Sequence, residues 1–444
     1  MIEVLSNSVF RRLFVAQVVA LVGTGLATVA LALLAYDLAG AQAGAVLGTA
    51  LAIKMMVYVT LAPVSAAVVP PSLRKPALIA LDLIRAAAAL SLPFVTAVWQ
   101  VYILIALLQS ASACFTPLFQ SLIPEILKEE RKYTRALSLS RLAYDLESLL
   151  SPALAAALLT LISFHGLFVG TSAGFVLSAL LVLSTTLPLI ADKRGEEGPY
   201  ARAIRGMRIY LRTPRLRGLL ALNLVAAAGG AMVFVNTVVV VRSVLHGGDR
   251  EVAWALAAFG AGSMLVALLL PRVLDRVPDR RVMLGAAAAM CGILVTLLAA
   301  WLAERGAIGW AVLLPVWTLL GMAYAGLVTP GGRLLRRSAE SADLPFLFAA
   351  QFSLSHVCWL IAYPLAGVVG ARLGMPVTIA ALSVLALAGV IVAWRVWPKH
   401  DPDELTHRHD DLPEDHPHLI EHRASNGGHR HRYVIDPLHE HWPQ

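Results

Sequence analysis

Residues 136–162 read ALSLSRLAYDLESLLSPALAAALLTLI. The run is long and apolar enough to cross a bilayer, which takes about 20 residues over about 30 Å of hydrocarbon. Yet it carries Arg141, Asp145 and Glu147, and Pro152 interrupts it. A charge near mid-bilayer costs several kcal/mol, so ionisable groups there face a cavity or a partner and mark a transport path or proton relay. A helix-breaking proline is tolerated in a membrane only where neighbouring groups satisfy the freed backbone. The stretch reads as the wall of a pathway, and the rest of the chain as what builds that pathway around it.

Composition agrees. Hydrophobic residues make up 58% of the 444 and charged residues only 14%, with a mean hydropathy of +0.72. A soluble domain carries about a quarter charged residues, so most of this chain uses lipid as its solvent. The basic residues sit in short loops between apolar spans, so the pI of 9.6 gives no argument for nucleic acid. Cys114, Cys291 and Cys358 all fall inside apolar segments, and no disulfide framework is expected. Arg11 and Arg12 precede an apolar run that continues to Tyr36; its length predicts a first transmembrane helix rather than a cleaved signal.

Twelve apolar spans are predicted, near Leu13–Tyr36, Ala43–Val69, Pro76–Thr96, Val98–Phe119, Ala136–Ile162 and Gly166–Ile190, then Leu219–Val241, Val252–Leu270, Val282–Trp301, Ala307–Val328, Leu344–Val369 and Pro376–Trp397. Alternate loops hold Arg74 and Lys75; Lys128 to Arg135; Lys193 to Arg217; Arg272 to Arg281; and Arg333 to Arg337. The opposite loops hold only Arg242, Arg250, Arg305 and Arg372. That asymmetry places both termini and the central loop in the cytoplasm, in the cell (inner) membrane. The chain also repeats itself. Thr116-Pro117 after span four recurs as Thr329-Pro330 after span ten, and Pro152 in span five as Pro364 in span eleven. The expected fold is an all-α membrane protein of twelve transmembrane helices in two pseudo-symmetric six-helix bundles, residues 1–190 and 217–398, joined by a linker at 191–216 and followed by a tail at 399–444, with a substrate site between the bundles.

These features resemble the major facilitator superfamily across nearly all of residues 1–400. Its loop signature, G-x-L-A-D-R-x-G-R-R, is matched between spans eight and nine by Asp275, Arg276, Arg280 and Arg281, with Pro271 in place of the first glycine. Between spans two and three only Arg74 and Lys75 survive. The chain is similar to exporters of the macrolide-efflux type in Asp82 of span three, the Pro117…Pro124-Glu125 run closing span four, and Ser151-Pro152, a degenerate Gly-Pro antiporter motif. Gln109 stands near where relatives carry an arginine. The resemblance implies proton-coupled efflux, with Asp82, Arg85 and Pro152 joining the conformational motif.

Asp145 and Glu147 are about 200° apart around a helix, so they cannot share one cavity face. Arg141 and Asp145, at i and i+4, can pair. Glu147 is the first candidate for the protonatable coupling carboxylate and Asp145 the second. Lys54 in span two, one turn before Tyr58, is a candidate counter-ion. The alternative is a fixed buried network with Lys54 or Arg85. Tyr58, Gln109, Tyr144 and His356 are candidate cavity residues, with His356 falling opposite Tyr144 when Pro152 is aligned on Pro364.

Beyond Lys399 the sequence is polar and holds ten of the 13 histidines. His-x-His occurs at His407/His409, His416/His418, His429/His431 and His439/His441. Imidazoles among carboxylates suit nickel, cobalt, copper or zinc. Nickel-resistance permeases of the superfamily also carry histidine-rich tails, and with this resemblance a divalent metal such as nickel becomes the first substrate expectation. A drug, macrolide or siderophore exporter with an incidental tail is the alternative, and a non-transporting membrane metal sensor a second. No G-x-x-x-x-G-K-[ST] loop occurs, which argues against ATP hydrolysis. The protein is expected to be no enzyme, to need no cofactor, to act as a monomer, and to have a small molecule or metal ion, protons and the bilayer as partners.

Overall fold

The structure, a computed structural model, describes residues 2–127, 129, 132, 136, 139, 140, 143, 147, 151, 154–186, 199–340, 343–401, 404–407, 429–436, 438, 439 and 442. Eleven of the described helices are membrane spans, 18 to 32 residues long. Spans one to four are Ser8–Ala39, Ala43–Val68, Arg74–Ser91 and Val98–Ile126. Span six is Phe164–Leu183, and spans seven to ten are Pro214–Val239, Asp249–Leu274, Asp279–Ala303 and Trp310–Val328. Spans eleven and twelve are Leu344–Pro364 and Met375–Val396. In span five the described residues Ala136, Leu139, Ser140, Ala143, Glu147, Ser151 and Leu154–Leu158 are helical.

Local chemistry sets several ends. The Asn7 side chain accepts from the amides of Val9 and Phe10, both at 3.0 Å, and caps span one, as asparagine does at an N-cap. Gly40, at φ +52°, ends it where only glycine turns without strain. The backbone N–H of Gly248 donates to the Glu251 carboxylate at 2.8 Å at the start of span eight.

The pairing pattern carries the symmetry. Span one packs on six, two on four, three on four and three on six. In the second half seven packs on twelve, eight on ten, nine on ten and nine on twelve. Each pairing recurs six spans later, so the chain is two copies of one six-helix bundle. Span two lies against span eleven to join the halves. Their backbones touch: a Cβ on Gly48 would run into Gly367 and the Tyr363 carbonyl, the close approach that small residues allow between membrane helices.

Two regions differ from expectation. The linker forms a helix, Pro199–Arg212, whose buried Tyr210 donates its hydroxyl to Gln351 of span eleven. Burial, with the nearby Cys358 thiol adding to it, holds that phenol well above its ordinary pKa, so it stays a donor. Arg205 pairs with Asp343 at 2.8 Å. The tail, for which no secondary structure is expected above, contains two antiparallel strands, β1 (Glu404–His407) and β2 (His429–Arg432). His-x-His has a period of two, and that is a strand period.

Candidate functional site

Lys54 and Glu147 face each other electrostatically inside the first bundle, and Glu147 accepts a hydrogen bond from the Ser151 hydroxyl. Serine stands one helical turn beyond the carboxylate, so both project from one face of span five. The pocket for them is made by an absence. A Cβ on Gly25 of span one would collide with Ser151 and lie 2.7 Å from a Glu147 oxygen. Both charged side chains are surrounded by protein yet keep some accessible surface. Protonating Glu147 takes the counter-ion from Lys54, so the proton on the carboxylate and the charge on the lysine are coupled. Arg85, the other cation considered for Glu147, pairs instead with Asp82.

Where the halves meet, Tyr58 of span two stacks on His356 of span eleven with ring centroids 5.2 Å apart and planes 2° from parallel. Phe352 lies 5.7 Å from Tyr58 and 4.1 Å from His356. His356 Nδ1 is 2.6 Å from the Phe352 carbonyl, so one ring nitrogen is occupied within its own helix. The Lys54 ammonium lies 6.0 Å from the Tyr58 centroid. Gln109 is buried, and its Oε1 has no hydrogen-bond partner among the described residues. Arg141, Tyr144, Asp145 and Pro152 lie outside the described residues.

Asp82 forms a closed network with two partners. It pairs with Arg85 and accepts from Ser178 Oγ at 2.8 Å. The Arg85 guanidinium sits between the rings of Phe115 and Phe175, 4.1 and 4.5 Å from their centroids, a stacking that stabilises a desolvated cation. In the loop signature, Asp275, Arg276 and Arg281 are exposed, and Arg280 donates to the carbonyls of Trp397 at 3.0 Å and Trp394 at 3.2 Å. The buried acid is Asp279, which motif matching passed over. Its carboxylate takes Arg337 at 2.9 Å and Arg333 at 3.6 Å. Its position as the first residue of span nine, where a helix favours a negative charge, was the available signal.

A second set of contacts closes the end of the bundle opposite the basic loops. Tyr36 and Ser243 share a hydrogen bond of 3.2 Å. Arg242 lies 2.8 Å from Asp249 and 3.9 Å from Asp37, and its guanidinium is 5.2 Å from the Tyr36 centroid. Arg250 donates to the carbonyls of Leu159 and Thr160 at 3.2 and 3.0 Å. Leu159, Ile162, Ser163 and Glu251 line a cavity of about 370 Å³ beside these arginines. Span seven ends here in a wider turn, Val240–Val244, and span eleven in another, Leu365–Val369.

The tail docks on the second bundle. Asp401 accepts from Trp397 Nε1 at 3.1 Å, lies 3.5 Å from Arg215 Nε, and its carbonyl accepts from Arg337 at 3.2 Å. The Trp442 ring is 4.9 Å from the buried Arg215 guanidinium. Tyr433, Val434 and Ile435 are buried. His439 is buried too, its Nδ1 2.8 Å from the Asp436 carboxylate. In the ribbon, the backbone register pairs His407 with His429 and Leu405 with His431. His409, His416, His418 and His441 lie outside the described residues. Among the described residues no three His, Cys, Asp or Glu side chains converge as a metal set.

Comparison with known proteins accords with this architecture. Over 295 residues the chain is 25% identical to an uncharacterised MFS-type transporter, YfiS of Bacillus subtilis (strain 168), covering 64% of this chain and 68% of the relative. Over 116 residues it is 32% identical to the chloramphenicol efflux pump Rv0191 of Mycobacterium tuberculosis (strain ATCC 25618 / H37Rv), a match spanning 26% of each chain. Among solved structures it superposes on the nucleoside transporter NupG with a TM-score of 0.64 at 13% identity, over 87% of this chain and 98% of that one. It superposes on a bacterial homologue of the lysosomal transporter Spinster, in an inward-facing and unoccupied conformation, with a TM-score of 0.62 at 13% identity, over 88% of this chain and 98% of that one. The family profile of the Major Facilitator Superfamily matches residues 13–248 and again 220–427. Matched once in each half, the chain belongs to the Major Facilitator Superfamily and is a membrane transporter, not an enzyme.

Proposed function

We propose that this protein is a proton-coupled efflux transporter of the inner membrane, with both termini in the cytoplasm, that expels a small organic molecule by alternating access. One observation carries the coupling: Glu147 on span five sits with Ser151 against Gly25 and faces Lys54 on span two. When substrate or a rocking bundle changes the field of Lys54, the carboxylate exchanges its proton with whichever side is open. The closed set around Arg242, Tyr36 and Arg250 fits an inward-facing state, ready to load from the cytoplasm. Likeness to a chloramphenicol efflux pump supports both the direction and an organic cargo.

The tail supports a second reading, export of a divalent metal such as nickel. His407 and His429 are register partners along the backbone, and histidine is a residue type that suits such ions. One experiment separates the two. Inside-out vesicles with a verified proton gradient are given labelled chloramphenicol or labelled nickel, for the intact chain and for Glu147→Gln. Gradient-driven uptake of the drug, lost in Glu147→Gln, is the expected result. Nickel uptake without drug uptake moves the assignment to the metal. Uptake that persists in Glu147→Gln removes Glu147 from coupling.

A further inference from the structure

Span eleven carries Phe352, His356, Trp359 and Tyr363 at intervals of four, three and four residues, which puts them on one helical face. The first two meet Tyr58 of the other half. The second two continue into an aromatic cluster of the second bundle. Trp359 lies 4.9 Å from Tyr363, 6.0 Å from Phe234 of span seven and 6.3 Å from Tyr324 of span ten. Phe259 of span eight closes it, 5.4 Å from Phe234 and 5.5 Å from Tyr324. Four spans thus converge through five aromatic side chains. Glycines allow that convergence: a Cβ on Gly321 would strike the Phe259 carbonyl, and one on Gly230 the Trp359 indole.

Phe259 and Tyr363 are buried, but Phe234, Tyr324 and Trp359 keep accessible surface. Spans two and eleven run in opposite directions. Lys54 precedes Tyr58 by four residues and Trp359 follows His356 by three, so both stand one turn from the Tyr58–His356 stack on the same side of it. From Phe352 to Trp359 the aromatic face of span eleven runs about 10 Å at 1.5 Å per residue.

We propose that Phe234, Tyr324 and Trp359, facing Lys54 across the two halves, form the binding wall for an aromatic molecule whose polar arm accepts a hydrogen bond. The ring lies on the indole and phenyl faces, where stacking and apolar burial hold it. The arm accepts a hydrogen bond from the Lys54 ammonium. This assignment rests on the efflux reading above and names the chemistry of its cargo.

Binding of labelled chloramphenicol to the purified full chain tests it, with Trp359→Ala, Trp359→Phe and Lys54→Met beside the parent. Trp359→Ala should weaken binding about tenfold, the loss of one stacked ring with its buried area, while Trp359→Phe stays within about threefold. Rescue by phenylalanine, with matching gel-filtration profiles, excludes misfolding as the cause. Lys54→Met should weaken binding of the amphenicol but not of an aromatic cation, tetraphenylphosphonium. Equal binding by Trp359→Ala and the parent overturns the wall, and so does preference of the parent for the cation. Gradient-driven flux of a non-aromatic cargo, unchanged in Trp359→Ala, overturns the wall while leaving the efflux reading intact. No flux of any cargo under a verified gradient removes the efflux reading itself.

Discussion

Arg242 of the second half stands 3.9 Å from Asp37 of the first while holding Asp249 of its own half at 2.8 Å. Separating the halves at this end breaks the longer contact and keeps the shorter one. Arg242→Ala removes a partly exposed pair worth at most about 1 kcal/mol, a shift of about fivefold in population. Labelling of a reporter at Leu159→Cys, where the native side chain is 5% exposed, should speed up by up to that factor, and further when Arg250→Ala also removes the bonds to Leu159 and Thr160. Unchanged labelling in the double variant would show that these arginines do not hold the end shut.

Gly25→Val tests the pocket from the opposite helix. Its added atoms enter the space of Ser151 and Glu147, and overpacking of this kind costs about 1–3 kcal/mol. Transport should fall along with thermal stability, and Ser151→Gly in the same chain should restore part of both. Restoration of neither places the fault elsewhere on span one.

Asp279→Asn removes the carboxylate shared by Arg337 and Arg333. Breaking one side of a largely buried pair is destabilising, here by roughly 2 kcal/mol because both arginines keep some water. Asp275→Asn, at an exposed position, should change the melting temperature by little. A larger loss from Asp275→Asn than from Asp279→Asn reverses the assignment of the structural acid.

Asp436 gives the tail a pH dependence with a definite sign. Burial pushes its pKa up, but hydrogen bonds and charge from His439, with backbone N–H groups of His439 and Leu438, outweigh burial and hold it below the ordinary 3.8. A carboxyl whose folded pKa is depressed adds stability above its unfolded pKa, and loses it as pH falls through the folded value. Hydrogen exchange at Tyr433–Ile435, corrected at each pH for the intrinsic amide rate, should therefore be flat from neutral pH down to about 5 and rise below about 4. Asp436→Asn should abolish that rise and raise exchange at neutral pH.

The spans, their order and the duplication were legible because lipid imposes one rule, about 20 apolar residues with internally satisfied backbone. Lys54 and Glu147 were legible as charges where charge is costly. The partners were not. Whether Glu147 meets Lys54 or Arg85 depends on which faces of spans two, three and five turn inward, and a single chain's periodicity leaves that open. Phe234, Phe259, Tyr324 and Trp359 are separated by 25 to 65 residues, and in an apolar background aromatics give no contrast. Asp279 was hidden by its better-known neighbour, Asp275. The tail was misjudged because a histidine every second residue was read as chemistry alone, although that spacing also places side chains on one face of a strand.

Asp401 gives that tail a consequence for how its histidines can be studied. Cutting the chain after Pro398 discards the imidazoles, but it also strips Asp401 and Trp442 from Arg215, whose side chain is 1% exposed. A truncated protein that transports poorly would therefore report a wounded second bundle as readily as a missing ligand. Histidines must be exchanged one pair at a time, His407 with His429 first, with Asp401 left in place.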